Sequence, residues 1–248
     1  QRGQIPIGEI RLGIYGNEDP MYILAGLPFI APDYSSAWLL KDVQMEYLQE
    51  KFDKKGLMIL YTAPWPGQGF YTKFPVNSVS DFSGKKLRIY STATQQMGSM
   101  LGFNATILPF AEIPQAFSTG LIEALFTSPQ TGIDIQAWDN TKHFTYAGAI
   151  FSKNAVVVTK KAFNALSKGD QSNMLAAAKK AELRGWEMSA ETTKKQIDIL
   201  KKNGMSSKNA PDEVISKMKS IGLEMMKNWR SKASPEANAV LDRYLSMR

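Results

Sequence analysis

One short predicted strand carries a side chain suited to binding an anion. In Lys86-Leu-Arg-Ile-Tyr90, alternation places Leu87 and Ile89 on one face and Arg88 on the other, with Lys86 and Tyr90. A guanidinium can bind a carboxylate through two parallel hydrogen bonds, which a lysine ammonium cannot do. Taken alone, the five residues are more typical of an arginine on a solvated strand face, so the interpretation depends on the neighbouring blocks.

The strand belongs to the first of four short sequence blocks that follow one another along the chain. They are Asp81-Phe-Ser-Gly-Lys-Lys-Leu-Arg88, Pro109-Phe-Ala-Glu112, Thr119-Gly-Leu-Ile-Glu123 and Thr141-Lys-His143. In order and spacing they resemble the solute-binding proteins of TRAP transporters, which are tripartite, ATP-independent periplasmic uptake systems. The resemblance extends roughly over residues 20–205, and four blocks in order are far more specific than any one of them.

The resemblance implies roles for several positions. The family arginine at the place of Arg88 binds an organic-acid substrate, and Gln68 stands where many members carry a second arginine. Phe110 matches a phenylalanine that packs on the ligand, although a core aromatic beside a proline fits equally well. Thr127 or Ser128 replaces the ligand-binding asparagine, and the sequence leaves open which.

Aromatic residues nearby suggest an apolar wall for the ligand pocket. Trp65, Phe70 and Tyr90 are predicted ligand contacts on this ground, and they favour a monocarboxylate with an apolar or aromatic tail. Tyr15 and Glu18, in the loop after the first predicted strand, are predicted contacts from the other side of the cleft. The single histidine, His143, is interpreted as a packed structural residue and is left out of the site.

The function implied by the resemblance is capture of an organic acid by hinge closure, with delivery to the TRAP membrane permease subunits. Two alternatives stay open: a ligand-sensing domain of a regulator with the same fold, and an α/β enzyme. The sequence contains no Gly-x-Ser-x-Gly, P-loop or Gly-x-Gly-x-x-Gly motif, which argues against the common α/β enzymes. We therefore predict a protein that is not an enzyme and that requires no cofactor.

Composition narrows the other possibilities. The 248 residues include no cysteine and one histidine, which excludes disulfides and cysteine-ligated metal sites and disfavours a catalytic triad. The formal charge of +7 comes largely from lysines interleaved with acidic residues on predicted helices, so nucleic acid is not an expected partner. No metal site is predicted.

Targeting segments give a further expectation. No apolar run approaches the roughly 18 residues that a membrane helix requires. The first residues carry neither a basic segment followed by an apolar one nor any other sign of a signal peptide. The resemblance implies a periplasmic location, and about sixty N-terminal residues of the family pattern precede the matching part in its members.

The elements that must hold these residues in place alternate between strands and helices. We predict helices over 34–55, 92–101 and 111–119 and strands over 86–90, 103–108, 121–126 and 154–160. A helix over about 167–203 would be long enough to span two lobes, unless it breaks near Gly185. The fold class is therefore α/β and two-lobed, with mixed, mostly parallel sheets. Lobe I is predicted to comprise 1–65 and 154–193, and lobe II 66–153 and 194–248.

Overall fold

The computed structural model describes residues 5–248. Its α-helices are α1 (Tyr34–Asp53), α2 (Thr92–Met100), α3 (Ile113–Ser118), α4 (Pro129–Asp134), α5 (Lys160–Asn164), α6 (Lys168–Lys202), α7 (Asp212–Lys232) and α8 (Pro235–Met247). Its strands are β1 (Ile7–Arg11), β2 (Leu57–Pro64), β3 (Gly69–Thr72), β4 (Lys86–Ile89), β5 (Asn104–Ile107), β6 (Ala124–Thr127), β7 (His143–Tyr146), β8 (Lys153–Thr159) and β9 (Ser206–Asn209).

The first long helix, α1, follows the signals in its sequence. The Asp33 carboxylate caps its start by accepting from the Ser36 N–H at 2.7 Å. Leu40, Leu48 and Phe52 form its buried face. The helix ends three residues before Gly56, whose φ of +70° suits a residue without a Cβ. The predicted helix over 34–55 is confirmed to within two residues.

The longest helix, α6, is continuous over 35 residues, and the alternative of a break near Gly185 is wrong. Ser167 caps its start by accepting from the Asp170 N–H. At 1.5 Å per residue it extends about 50 Å. Its Glu182 carboxylate accepts from the Thr62 hydroxyl at 2.7 Å, whereas Gln196 donates to Gln130 at 2.9 Å. The two contacts place α6 against both halves of the molecule.

A six-stranded mixed sheet forms one half, in the order β5-β4-β6-β3-β7-β9. The pairs β4–β5, β4–β6 and β7–β9 are parallel, and β3 is antiparallel to both of its neighbours. The predicted mixed, mostly parallel arrangement is confirmed for this sheet. Strands β3, β7 and β9 were not among the predicted strands; β3 directly follows a segment rich in Pro and Gly.

A three-stranded sheet in the order β1-β8-β2 forms the other half. Both of its pairings within the described residues are antiparallel, so the expectation of parallel strands does not extend to this sheet. Its central strand, β8, continues directly from the segment that leaves the six-stranded sheet. Consequently the residues around position 152 lie where the two halves meet.

The C-terminal helices α7 and α8 pack against α1 and the segment that precedes it. Tyr244 on α8 is fully buried and donates to the Ile30 carbonyl at 2.8 Å, and Trp229 on α7 donates to the Pro20 carbonyl at 2.6 Å. The helix α8 also packs on α1. The boundaries of the two lobes stay a prediction.

No helix in the described part of the chain combines the length and apolar character required to cross a membrane.

His143 lies on β7 between β3 and β9, and burial lowers its pKa below the usual value. Its position within the sheet is compatible with the structural role predicted for it.

Candidate functional site

Arg88 lies at the base of a cleft between the two sheets. On β4 its neighbours Leu87 and Ile89 are fully buried in the core, so alternation directs Arg88 to the opposite face. Its side chain is only 2% exposed, and Nε donates to the Leu108 carbonyl at 3.1 Å. This bond orients the guanidinium and leaves its two terminal nitrogens without a partner in residues 5–248.

The electrostatic setting of Arg88 is unusual for a buried cation. Burial, together with the positive charge of Arg11, lowers the pKa of Arg88 to about 10. Within the described chain no carboxylate forms an ion pair with it. Buried charges are normally paired, since desolvating an isolated ion is costly. A buried, uncompensated guanidinium at a cleft is therefore a candidate anion site.

The cleft encloses about 440 Å³ and brings together most of the residues predicted from the sequence. Seven of the ten predicted contacts line it: Trp65, Gln68, Arg88, Tyr90, Phe110, Thr127 and Ser128. They come from β4 and β6, from the residues that follow β4, β5 and β6, and from the connection between β2 and β3, so several elements rather than one loop position the site. Their contact with a ligand stays a prediction.

Gln68 and Tyr90 form a hydrogen-bonded pair inside the cleft. The Tyr90 hydroxyl donates to Gln68 Oε1 at 2.6 Å, and Gln68 Nε2 donates to the Ser152 hydroxyl at 3.0 Å. Burial raises the pKa of Tyr90 to about 12, so its phenol is protonated at neutral pH. With one amide N–H already on Ser152, Gln68 has one donor left for a ligand and mainly fixes Tyr90 in place.

Thr127 and Ser128 differ in whether their hydroxyl groups already form hydrogen bonds within the protein. Ser128 caps α4, accepting from the Thr131 N–H at 3.2 Å, and lies 3.0 Å from the Thr131 hydroxyl. The Thr127 hydroxyl has no hydrogen bond to another residue in 5–248 and lines the cleft. The geometry therefore favours Thr127 as the hydroxyl available to a ligand.

Two aromatic residues form the apolar part of the cleft. Trp65 Nε1 donates to the Asn154 amide oxygen at 3.1 Å, which holds the indole at the junction of the sheets. Phe110 is 50% exposed at the lip of the cleft. The alternative that Phe110 is a core residue is thus not supported, since half of its surface faces solvent.

Phe70 lies in the core and does not line the cleft, which corrects its predicted role. Strand β3 places it in a cluster with Phe82, Phe103 and Phe126, with ring centroids 4.8–5.8 Å apart. It is fully buried there. Strand β3 was not predicted from the sequence, and its alternation directs Phe70 to the face that carries this aromatic cluster.

Tyr15 and Glu18 line a different cavity, so the structure does not bring them to the Arg88 cleft. That cavity of about 390 Å³ lies beside β1 and the end of α1. Glu18 forms an ion pair there with Lys55, and the ring of Tyr15 packs edge-on against Tyr22. In the 3₁₀ helix that follows Arg11, Ile14 lines the Arg88 cleft whereas Tyr15 lines the other cavity, and Glu18 comes three residues after Tyr15.

Six residues of the cleft escaped sequence analysis: Arg11, Ile14, Thr131, Asp134, Ser152 and Asn154. Arg11 is the most significant for binding, because it brings a second cation from the three-stranded sheet. Its Cζ lies 5.4 Å from the Tyr90 ring centroid, and that of Arg88 lies 6.0 Å from it. The residue types around Arg11, which are both polar and apolar, give no sequence signal that it lines a binding cleft.

Residues 5–248 contain no group of three or more His, Asp or Glu side chains placed to hold a metal ion. The cleft presents two cationic groups together with hydroxyl, amide and aromatic groups and the carboxylate of Asp134. The cationic and hydrogen-bonding groups are suited to recognition of an organic anion.

Two α/β halves, a helix that contacts both and an anion site between them define the class of two-lobed binding proteins. The chain belongs to the bacterial extracellular solute-binding proteins of family 7, the DctP family, whose model matches residues 1–232. The resemblance to TRAP solute-binding proteins is thereby confirmed. The characterised function of this family is solute binding rather than catalysis.

Solved structures of related proteins superpose closely. The chain is 37% identical to DctP7, a Bordetella pertussis extracytoplasmic solute receptor binding pyroglutamic acid, with a TM-score of 0.95 over 98% of this chain and 81% of that one. It is 32% identical to a marine metagenome TRAP solute-binding protein specific for pyroglutamate, with a TM-score of 0.93 over 99% and 81%.

A curated relative is more distant. A solute-binding protein of Chromohalobacter salexigens is 24% identical over 204 residues, which are 79% of this chain and 60% of that protein. The chain thus spans about three fifths of the length of the curated relatives it matches.

Proposed function

We propose that the protein captures a small organic acid in the periplasm and delivers it to the membrane permease subunits of a TRAP transporter. The observation that carries this proposal is Arg88, a buried guanidinium at the base of the cleft with no carboxylate partner in residues 5–248. A carboxylate would supply the missing negative charge and accept two parallel hydrogen bonds.

Closure of the cleft follows from the same arrangement. The ligand would contact β4 and β6 of one sheet and the Ser152–Asn154 segment of the other. A ligand that contacts both halves has a higher affinity for the closed state, and this difference in affinity drives closure. Family membership and the described architecture support hinge motion of this kind.

Pyroglutamate is the acid we infer to be the first candidate ligand. The two pyroglutamate receptors described above share 37% and 32% identity with the chain and superpose along nearly all of it. Pyroglutamate is a monocarboxylate with a compact ring, which agrees with the single buried arginine on the six-stranded sheet and the apolar groups of Trp65 and Phe110. A clear preference for succinate over pyroglutamate would contradict the monocarboxylate proposal.

The test is titration calorimetry of the purified protein with pyroglutamate, succinate and an aromatic acid. Arg88→Met should weaken binding of the preferred acid by about 30-fold or more, because removing one partner of a desolvated charge pair costs at least about 2 kcal/mol. Lys86→Met is the matched control: it removes a cation two residues away on the same strand, where the side chain is exposed. Undiminished binding in Arg88→Met would refute the assigned anchor.

A further inference from the structure

Arg11 and Arg88 reach the same cleft from different sheets. Arg11 is the last residue of β1 and lies opposite Asn154 in the three-stranded sheet, whereas Arg88 lies on β4 of the six-stranded sheet. Their guanidinium carbons lie 5.4 and 6.0 Å from the centroid of one ring, that of Tyr90. The two cations therefore face a shared volume whose wall includes the Tyr90 ring.

Arg11 lacks partners of its own. Its Nε is buried and has no hydrogen-bond partner in the part of the chain that the structure describes. Glu9 on the same strand accepts from the Asn154 amide at 2.7 Å, and Asp134 accepts from Gln130 at 2.7 Å. Neither carboxylate lies within 4 Å of the Arg11 guanidinium, so neither forms an ion pair with it.

A single carboxylate carries one negative charge, whereas the cleft presents two cationic groups. A bidentate pair with the terminal nitrogens of Arg88 balances one of the two charges and directs one lone pair of each carboxylate oxygen to Arg88. The Arg11 donors would still require an acceptor, since an unsatisfied buried donor is costly. The complementary ligand has a further acceptor oxygen beyond its carboxylate.

We propose that Arg11 is a specificity-determining residue that binds a second acceptor oxygen of the ligand, while Arg88 binds its carboxylate. This inference rests on the proposed function and refines it: the ligand class is acids with a second carbonyl oxygen, of which a lactam acid is one example. At the end of the ligand that faces Arg11, a polar group thus takes the place of the apolar tail expected from the sequence. Gln68 is uncharged where many family members carry a second arginine, and Arg11 supplies a second positive charge from the three-stranded sheet instead.

The experiment compares two acids that differ only in that oxygen. One is cyclopentanecarboxylate, and the other is the cyclopentanone carboxylate whose ketone occupies the place of the pyroglutamate lactam carbonyl. Calorimetric titration of the wild-type protein should show a preference of about 10- to 100-fold for the keto acid, the range expected of a hydrogen bond to a charged group. Arg11→Met should reduce this preference to within about 3-fold, because it removes the donors to the second oxygen while Arg88 still binds the carboxylate of both acids.

Two controls separate this role from general effects on folding and charge. Arg184→Met removes an exposed arginine on α6 and should retain the full preference. Arg11→Lys retains the charge but not the planar donor pair, and it should recover part of the preference. Thermal melting of each variant shows whether it is folded under the conditions of the titration.

The outcomes distinguish the inference from the proposed function. A preference that persists in Arg11→Met, or an equal loss of affinity for both acids, would overturn the role of Arg11. If the wild type binds both acids equally and Arg88→Met abolishes both, the proposed function stands and only this inference falls. If the wild type binds neither acid, nor pyroglutamate, the proposed function and the inference both fail.

Discussion

Lys153 is a buried lysine whose titration should make the stability of the protein depend on pH. It is the first residue of β8 and 5% exposed, and its Nζ donates to the Gln44 amide oxygen at 2.7 Å. Burial, reinforced by the positive charge of Lys41, lowers the pKa of Lys153 to about 7. No ion pair within residues 5–248 includes Lys153 to offset this effect.

The sign and size of the effect follow from the difference between the pKa of Lys153 in the folded chain and its pKa in the unfolded chain. The unfolded lysine has a pKa of about 10.4, so above about pH 7 the unfolded chain binds more protons than the folded one and stability rises with pH. Below about pH 7 both states are protonated and the contribution is constant. At about 1.4 kcal/mol per pH unit, the free energy of unfolding should increase by about 3 kcal/mol between about pH 6 and pH 9.

The assay is urea unfolding of wild type and Lys153→Met across that pH range. The wild type should gain about 3 kcal/mol more than the variant, because other titrating groups contribute equally to both proteins. Lys179→Met, which removes an exposed lysine on α6, is the control and should follow the wild type. Parallel pH profiles for wild type and Lys153→Met would refute a neutral buried lysine at alkaline pH.

Three further substitutions test the packing of the chain. Phe70→Ala should lower the free energy of unfolding by about 3–5 kcal/mol without altering the ligand affinity of the protein that stays folded. Phe110→Ala should lower the free energy of unfolding by less than about 1 kcal/mol but weaken ligand binding. Equal effects of the two substitutions on affinity would contradict their separate placement in core and cleft. Gly222→Ala should destabilise by about 1–3 kcal/mol, because its Cβ would collide with the Pro28 carbonyl oxygen, and an unchanged melting temperature would contradict that contact.

Much of the fold was accessible from local signals. The helices α1 and α6 carry caps and apolar faces that identify them, and the strand with Arg88 shows clear alternation between core and cleft. The ordered blocks also identified the family, because their spacing reflects the chain order of β4, α3 and β6.

The features that were missed depend on contacts between distant segments. Strand β3 is recognisable only through its pairing with β6 and β7, and without that strand the inward direction of Phe70 has no local signal. Arg11 and Arg88 are brought together by the packing of two sheets, and nothing near Arg11 in the sequence indicates a cation site. Alternation predicts which face a side chain takes, but tertiary packing decides what that face meets.

The continuity of α6 has a consequence for how the protein unfolds. Its contacts through Glu182 and Gln196 are separated by about 21 Å along one uninterrupted helix. Loss of either sheet would expose part of the helix and remove packing that supports the remainder. We therefore expect a single cooperative transition, with circular dichroism and tryptophan fluorescence changing at the same denaturant concentration. Substitutions at the middle of α6 would then lower the stability of both sheets together.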